Sequence, residues 1–238
     1  MNPFRKTLAL WMLLWLTACQ SLQPAPLPTI PPPVTIDLTP STEYWRQAIH
    51  DCSGEVPGFS AAVDVVQRKN ILSDTSAWVL VSGEPPLPQA YSLGSDHLVW
   101  IVNQNNPVAS LSADQIAGIY TGFLPAWGKV DASLPVDFAA RQITPLHYLD
   151  GDELETRLGD ILSGALVGVN ALAAPGPAEV IQTVTRDETA LGFIPSRWMT
   201  STVKAVDGPK GPDFALTLSM NTAPDDTAVR FIACLQKK

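Results

Sequence analysis

Charge is scarce in this 238-residue chain, and positive charge is scarcest: 15 Lys and Arg stand against 23 Asp and Glu, 16% of residues in all. Phosphate-backbone binding draws its affinity from clustered Lys and Arg, so a net charge of −8 and a pI near 4.7 argue against nucleic acid as a partner. Histidine is almost missing. His50, His97 and His147 are isolated, none lies beside a candidate nucleophile, and the three cysteines make no Cys/His spacing that would hold a metal. No catalytic residue, metal ligand or cofactor is therefore expected, and the chain reads as a non-enzyme. No apolar run reaches the roughly 20 residues of a permanent membrane span. What is present is a globular composition, 46% hydrophobic with 22 Pro and 15 Gly, in a chain long enough for one two-lobed domain.

Arg5 and Lys6 precede an apolar run from Leu8 to Leu16, the pattern of a secretory signal. That run ends in Leu16-Thr17-Ala18-Cys19, which resembles the lipobox of bacterial lipoproteins. The resemblance implies a signal peptide over 1–18, a diacylglyceryl group on Cys19, and an extracytoplasmic protein held at a membrane by lipid. Gln20 after the cysteine, in place of Asp, permits outer-membrane sorting. Residues 20–40 hold seven prolines (24, 26, 28, 31, 32, 33 and 40), so 19–40 reads as a lipidated, semi-extended tether of about 3.1 Å per residue.

The folded body is expected over 41–238. Ser41 or Thr42 as N-cap, followed by Trp45, Ala48, Ile49 and Cys52 on one face, predicts a helix over 42–52. Strands are expected at 59–66, 77–82 and 97–102, and continuous apolar strands separated by helical patterns imply an α/β fold with a covered sheet. Ser112 and Gln115 form a capping box ahead of the stripe Ile116, Ile119 and Tyr120, with Gly122 ending the helix. Trp127 is expected as a packing plug in the loop that follows.

The run from Val99 to Gly128 contains, in order, a strand, Asn106-Pro107, Leu111-Ser112, a short helix ending in Tyr120-Thr121-Gly122, and Trp127. It resembles the phosphate-binding family of type II periplasmic substrate-binding proteins. Val184 to Pro195 is similar to a second motif of that family, and together the resemblance covers residues 93–206. It implies two α/β lobes, one from about 41–98 and 200–238, the other from about 99–199. It also implies a small ligand held between them and delivered to an ABC-type permease. Cleft residues then come from loops at strand ends: Ser82, Gly83, Tyr148, Asp150, Gly151 and Asp152.

The family's anion loop, Arg-x-Asp-Gly-Ser-Gly-Thr, is altered here. Asp150 and Gly151 remain, but Tyr148 replaces the Arg, Asp152 the Ser, Glu153 the Gly and Leu154 the Thr. Three carboxylates would face a dianion, each repelling it by a few kcal/mol at about 4 Å, so phosphate is not the expected ligand. Asp152 and Glu153 also suit the first turn of a helix, where unpaired N–H groups favour acids. The family's Gly-Ser loop after the first strand is replaced by Gln67-Arg68-Lys69-Asn70, either a replacement positive charge for the cleft or a solvated turn. A domain that kept the fold and lost its pocket, serving as an interaction or sensory module, is the alternative function. With Cys19 lipidated in an oxidising compartment, Cys52 and Cys234 are expected to pair, since the last segment of the resembling fold returns to the first lobe.

Overall fold

The computed structural model describes residues 32–238, so the expected signal peptide, Cys19 and most of the tether lie outside the described residues. Two five-stranded sheets organise the rest. The first has the order β2-β1-β3-β10-β4, from β1 (Val34–Leu38), β2 (Ala61–Val65), β3 (Trp78–Ser82), β4 (Gln89–Asp96) and β10 (Phe214–Met220). Its first three strands are parallel, and β10 is antiparallel to both β3 and β4.

The tether is shorter than expected. Val34-Thr-Ile-Asp-Leu alternates apolar and polar residues, and Ile36 and Leu38 are fully buried between β2 and β3. The prolines at 33 and 40 lie just outside this strand, where no ladder hydrogen bond is lost. The first helix also differs from expectation. A 3-10 turn runs Pro40–Trp45, and helix α1 follows over Arg46–Glu55, with Trp45, Ile49 and Cys52 buried. Ser41 and Thr42 do not cap it because their hydroxyls point elsewhere: Thr42 donates to the Leu80 carbonyl at 2.9 Å.

The second sheet has the order β7-β6-β8-β5-β9, from β5 (Leu98–Asn103), β6 (Thr144–Tyr148), β7 (Leu172–Ala174), β8 (Ala190–Pro195) and β9 (Val203–Val206). Helix α2 (Ala113–Tyr120) carries the expected capping box: Gln115 N–H donates to Ser112 Oγ and Ser112 N–H to Gln115 Oε1. Gly122 closes it with φ +83°, a left-handed conformation that favours glycine. Trp127 begins a short helix, α3 (Trp127–Val130), instead of lying in a loop. It is fully buried, and its indole N–H donates to the Thr189 carbonyl at 3.2 Å, the packing role expected of it. Helices α4 (Val136–Ala139), α5 (Glu153–Ile161) and α6 (Pro177–Arg186) complete this lobe.

The chain crosses between lobes twice, after Asp96 and between Val206 and Phe214. The second crossing falls later than the expected residue 200, because β9 pairs with β5 inside lobe 2. At the first crossing the Asp96 carboxylate accepts from the backbone N–H of His97 and Ser196 and from the Ser196 hydroxyl, which ties the end of β4 to lobe 2. Helix α7 (Asp226–Leu235) then packs on lobe 1, where Cys234 is bonded to Cys52 with a Cα separation of 5.8 Å.

Candidate functional site: a hydroxyl cradle between the lobes

Strands β1 and β3 lie side by side and parallel, and their C-terminal ends open toward lobe 2, the position where α/β sheets receive ligands. Thr39 and Ser41 follow β1, and Ser82 ends β3. All three are buried polar residues, and a buried hydroxyl must find an acceptor. The acceptor comes from the other lobe. Glu153, the first residue of α5, is 7% exposed, and its Oε1 accepts from Thr39 Oγ1 at 2.6 Å, Ser41 Oγ at 2.6 Å, Ser82 Oγ at 3.0 Å and Ser82 N–H at 3.2 Å. One oxygen thus joins the lobes at four points.

The surroundings are less complete. Glu153 Oε2 is buried without a partner, as are Asp152 Oδ2, Arg68 Nη1 and Arg157 Nε. Asp152 is the N-cap of α5, its Oδ1 accepting from Leu154 N–H at 2.8 Å. Burial, with the adjacent Glu153 adding to it, pushes its pKa up to about 7. Arg157 stands one turn along α5 with its guanidinium 4.1 Å from the Phe214 ring centroid; burial lowers its pKa, while Glu153 and Asp160 act in the opposite direction. Arg68 donates through Nη2 to the Glu84 carbonyl at 2.6 Å. Two carboxylates and two guanidiniums thus gather where the lobes meet. Two further bonds close the cleft, from Trp198 Nε1 to the Ser41 carbonyl at 2.7 Å and from Gln67 Nε2 to the Pro175 carbonyl at 3.2 Å.

Of the residues expected in the cleft, Ser82, Gly83 and Asp152 are there. Gly83 has φ +106°, and a Cβ on it would lie 2.9 Å from Arg157 Nη2, so glycine lets that guanidinium approach. Tyr148 is not a cleft residue. It is fully buried in lobe 2, packed edge-on against Phe193 at 5.0 Å with its hydroxyl donating to the Phe193 carbonyl at 2.6 Å, and burial drives its phenol pKa up. Asp150 and Gly151 form an exposed turn into α5 and donate nothing to the cradle; Gly151, at φ +84°, lies against the Lys69 side chain. Thr39, Ser41 and Glu153 were not among the expected site residues. Of the two cations in the turn after β2, Arg68 is partly buried, with Nη1 enclosed, and Lys69 is exposed.

Among the described residues no group of three or more His, Cys, Asp or Glu could hold a metal ion. A cradle of three hydroxyls and one N–H is built for an acceptor, such as a carboxylate or another oxyanion head.

Comparison with solved structures returns two-lobed binding proteins. One is described as a phosphate ABC transporter substrate-binding protein with bound phosphate, from Clostridium perfringens. It is 18% identical with a TM-score of 0.70, over 86% of this chain and 93% of its own. An ABC-type phosphate transport receptor from Vibrio cholerae is 19% identical with a TM-score of 0.57, over 84% and 93%. The regulatory domain of CcmR from Synechocystis, in complex with 2-PG, is 10% identical with a TM-score of 0.59, over 86% and 95%. At these identities the likeness shows the fold alone. A comparison with curated proteins finds no match. The sequence pattern of the PBP superfamily domain matches residues 88–230, more than half of the chain, and the protein belongs to that family.

Proposed function

We propose that this protein is a lipid-anchored, extracytoplasmic solute-binding module that presents a small ligand other than phosphate to an ABC-type permease. It acts by binding, without catalysis, at the ends of β1 and β3 opposite the N-terminus of α5. Two of the solved structures sharing this fold are phosphate-transport binding proteins, which supports the transport reading. The observation that carries the departure from phosphate is the Glu153 contact. Every donor of the cradle is already turned to a carboxylate, and a dianion entering there meets Glu153 and Asp152. Among the described residues no helix is long and apolar enough to cross a membrane. In this reading the lipid expected on Cys19 supplies the attachment.

Titration calorimetry with phosphate at neutral pH, and thermal melting against anions, metals, amino acids and sugars, test this reading. Phosphate gives no binding heat, and one solute class raises the midpoint by mass action. Micromolar phosphate binding overturns it. A second reading, a surface interaction or sensory module, is favoured by one observation: the cradle is filled by the chain itself. The regulatory domain of CcmR shares the fold, so fold alone does not separate transport from sensing. Absence of any midpoint shift across all solute classes selects the second reading.

A further inference from the structure

We propose that the interlobe cradle is a monocarboxylate site occupied in cis by Glu153, and that a free monocarboxylate replaces the Glu153 side chain there. The proposal deepens the solute-binding reading by naming the ligand class, and it rests on the cradle's own geometry.

Three observations carry it. First, Glu153 Oε1 holds the place of a ligand oxygen: it comes from lobe 2, yet its four donors, Thr39 Oγ1, Ser41 Oγ, Ser82 Oγ and Ser82 N–H, all belong to lobe 1. Nothing within lobe 1 is offered to those hydroxyls with comparable charge, so the arrangement is that of a receptor and a bound carboxylate. Second, the tethered carboxylate is an incomplete ligand. Its Oε2 is buried without a partner while Arg68 Nη1 and Arg157 Nε nearby are also unpartnered, which a free carboxylate, unconstrained by the α5 backbone, can correct. Third, charge sets the class. Exchanging the Glu153 carboxylate for a monocarboxylate leaves the charge of the site unchanged, while a dianion adds one negative charge to a buried site that already holds Asp152. The Glu153 side chain makes its four bonds to lobe 1 and none within α5, so its release costs those bonds and no helical one.

Chemical rescue decides the matter. Glu153→Ala removes the internal ligand from the purified chain and leaves its receptor. The variant melts lower than wild type by about 5 °C or more, and acetate at about 50 mM restores most of the loss, against chloride at equal ionic strength. In wild type acetate must first displace Glu153, so its midpoint also rises, by less than that of the variant at the same concentration. Sulfate restores less than acetate. Equal midpoints for variant and wild type, no specific rescue by acetate, or better rescue by sulfate would each overturn the proposal. If Glu153→Ala is recovered unfolded, refolding yield in acetate against chloride reads the same property, and equal yields overturn it. Rescue of the variant together with a wild type that answers no solute other than acetate retains the cradle and removes the delivery reading. A wild type that binds a solute while acetate leaves the variant unmoved does the reverse.

Discussion

Cys52 on α1 and Cys234 on α7 are bonded to each other across 182 residues of sequence, with the whole of lobe 2 strung between them. The bond closes lobe 1 on itself from the first helix to the last. By chain entropy, a loop of that length stabilises by about 5 kcal/mol, an upper figure because residual structure in the unfolded chain reduces it. Alkylation followed by intact-mass measurement finds no adduct on either residue before reduction and two after it. The reduced chain unfolds at lower denaturant.

Acid stabilises the site through Asp152. Its folded pKa of about 7 lies above the free value near 3.9, so the folded state holds the proton more tightly. That contribution is fully present below about pH 4 and is lost as pH rises through 7. Between pH 5.5 and 8 it amounts to about 2 kcal/mol. Denaturant unfolding at the two pH values measures it, and Asp152→Asn, which keeps the N-cap, flattens the difference.

Tyr148→Phe separates the packing role from a ligand role. Deleting the hydroxyl leaves the Phe193 carbonyl short of one bond, a loss of about 1 to 2 kcal/mol in unfolding free energy. Binding of any solute found by thermal melting is unchanged in this variant. A weakened affinity with unaltered stability would put Tyr148 back in the cleft.

A fragment beginning at residue 32 folds, and one beginning at 41 does not. The shorter one loses β1 from between β2 and β3, exposing the sites that Ile36 and Leu38 fill, each burial contributing about 2 kcal/mol. It also loses Thr39 from the cradle. Circular dichroism of the two fragments gives the answer.

Cys19→Ala moves the protein from the membrane to the soluble fraction, since acyl chains supply the anchoring in the lipoprotein reading. Fractionation with a carbonate wash and a blot checks it.

The parts of the fold readable from sequence are those whose cause is local. Ser112 and Gln115 satisfy each other's backbone within one turn, and the apolar run at 77–82 can only be a buried strand. Glu153 was hidden by a local explanation that is also true: an acid is welcome in the first turn of α5. Its other role depends on Thr39 and Ser41, more than a hundred residues away, which no periodicity connects to it. Val34–Leu38 was hidden by the prolines around it, and its identity as a strand comes from β2 and β3 on either side. Tyr148 misled because its alignment with a ligand-binding Arg says nothing of where its ring turns, and the apolar neighbour Phe193 decides that. Asp152 was readable as a cap. Its raised pKa was not, because burial is a property of the assembled lobes.

The insertion of β10 between β3 and β4 fixes an order of assembly. Lobe 2 is one uninterrupted stretch of chain, so a polypeptide emerging from its N-terminus can complete that lobe while the rest is still being made. Lobe 1 has no such freedom: β3 and β4 wait without their shared neighbour until residues 214–220 arrive, and Cys52 waits longer still for Cys234. During that interval the early strands stand with open edges, a template for pairing with another chain. The part of lobe 1 made first thus waits longest for completion, and a chain cut short between residues 206 and 214 would carry a complete lobe 2 on an incomplete lobe 1.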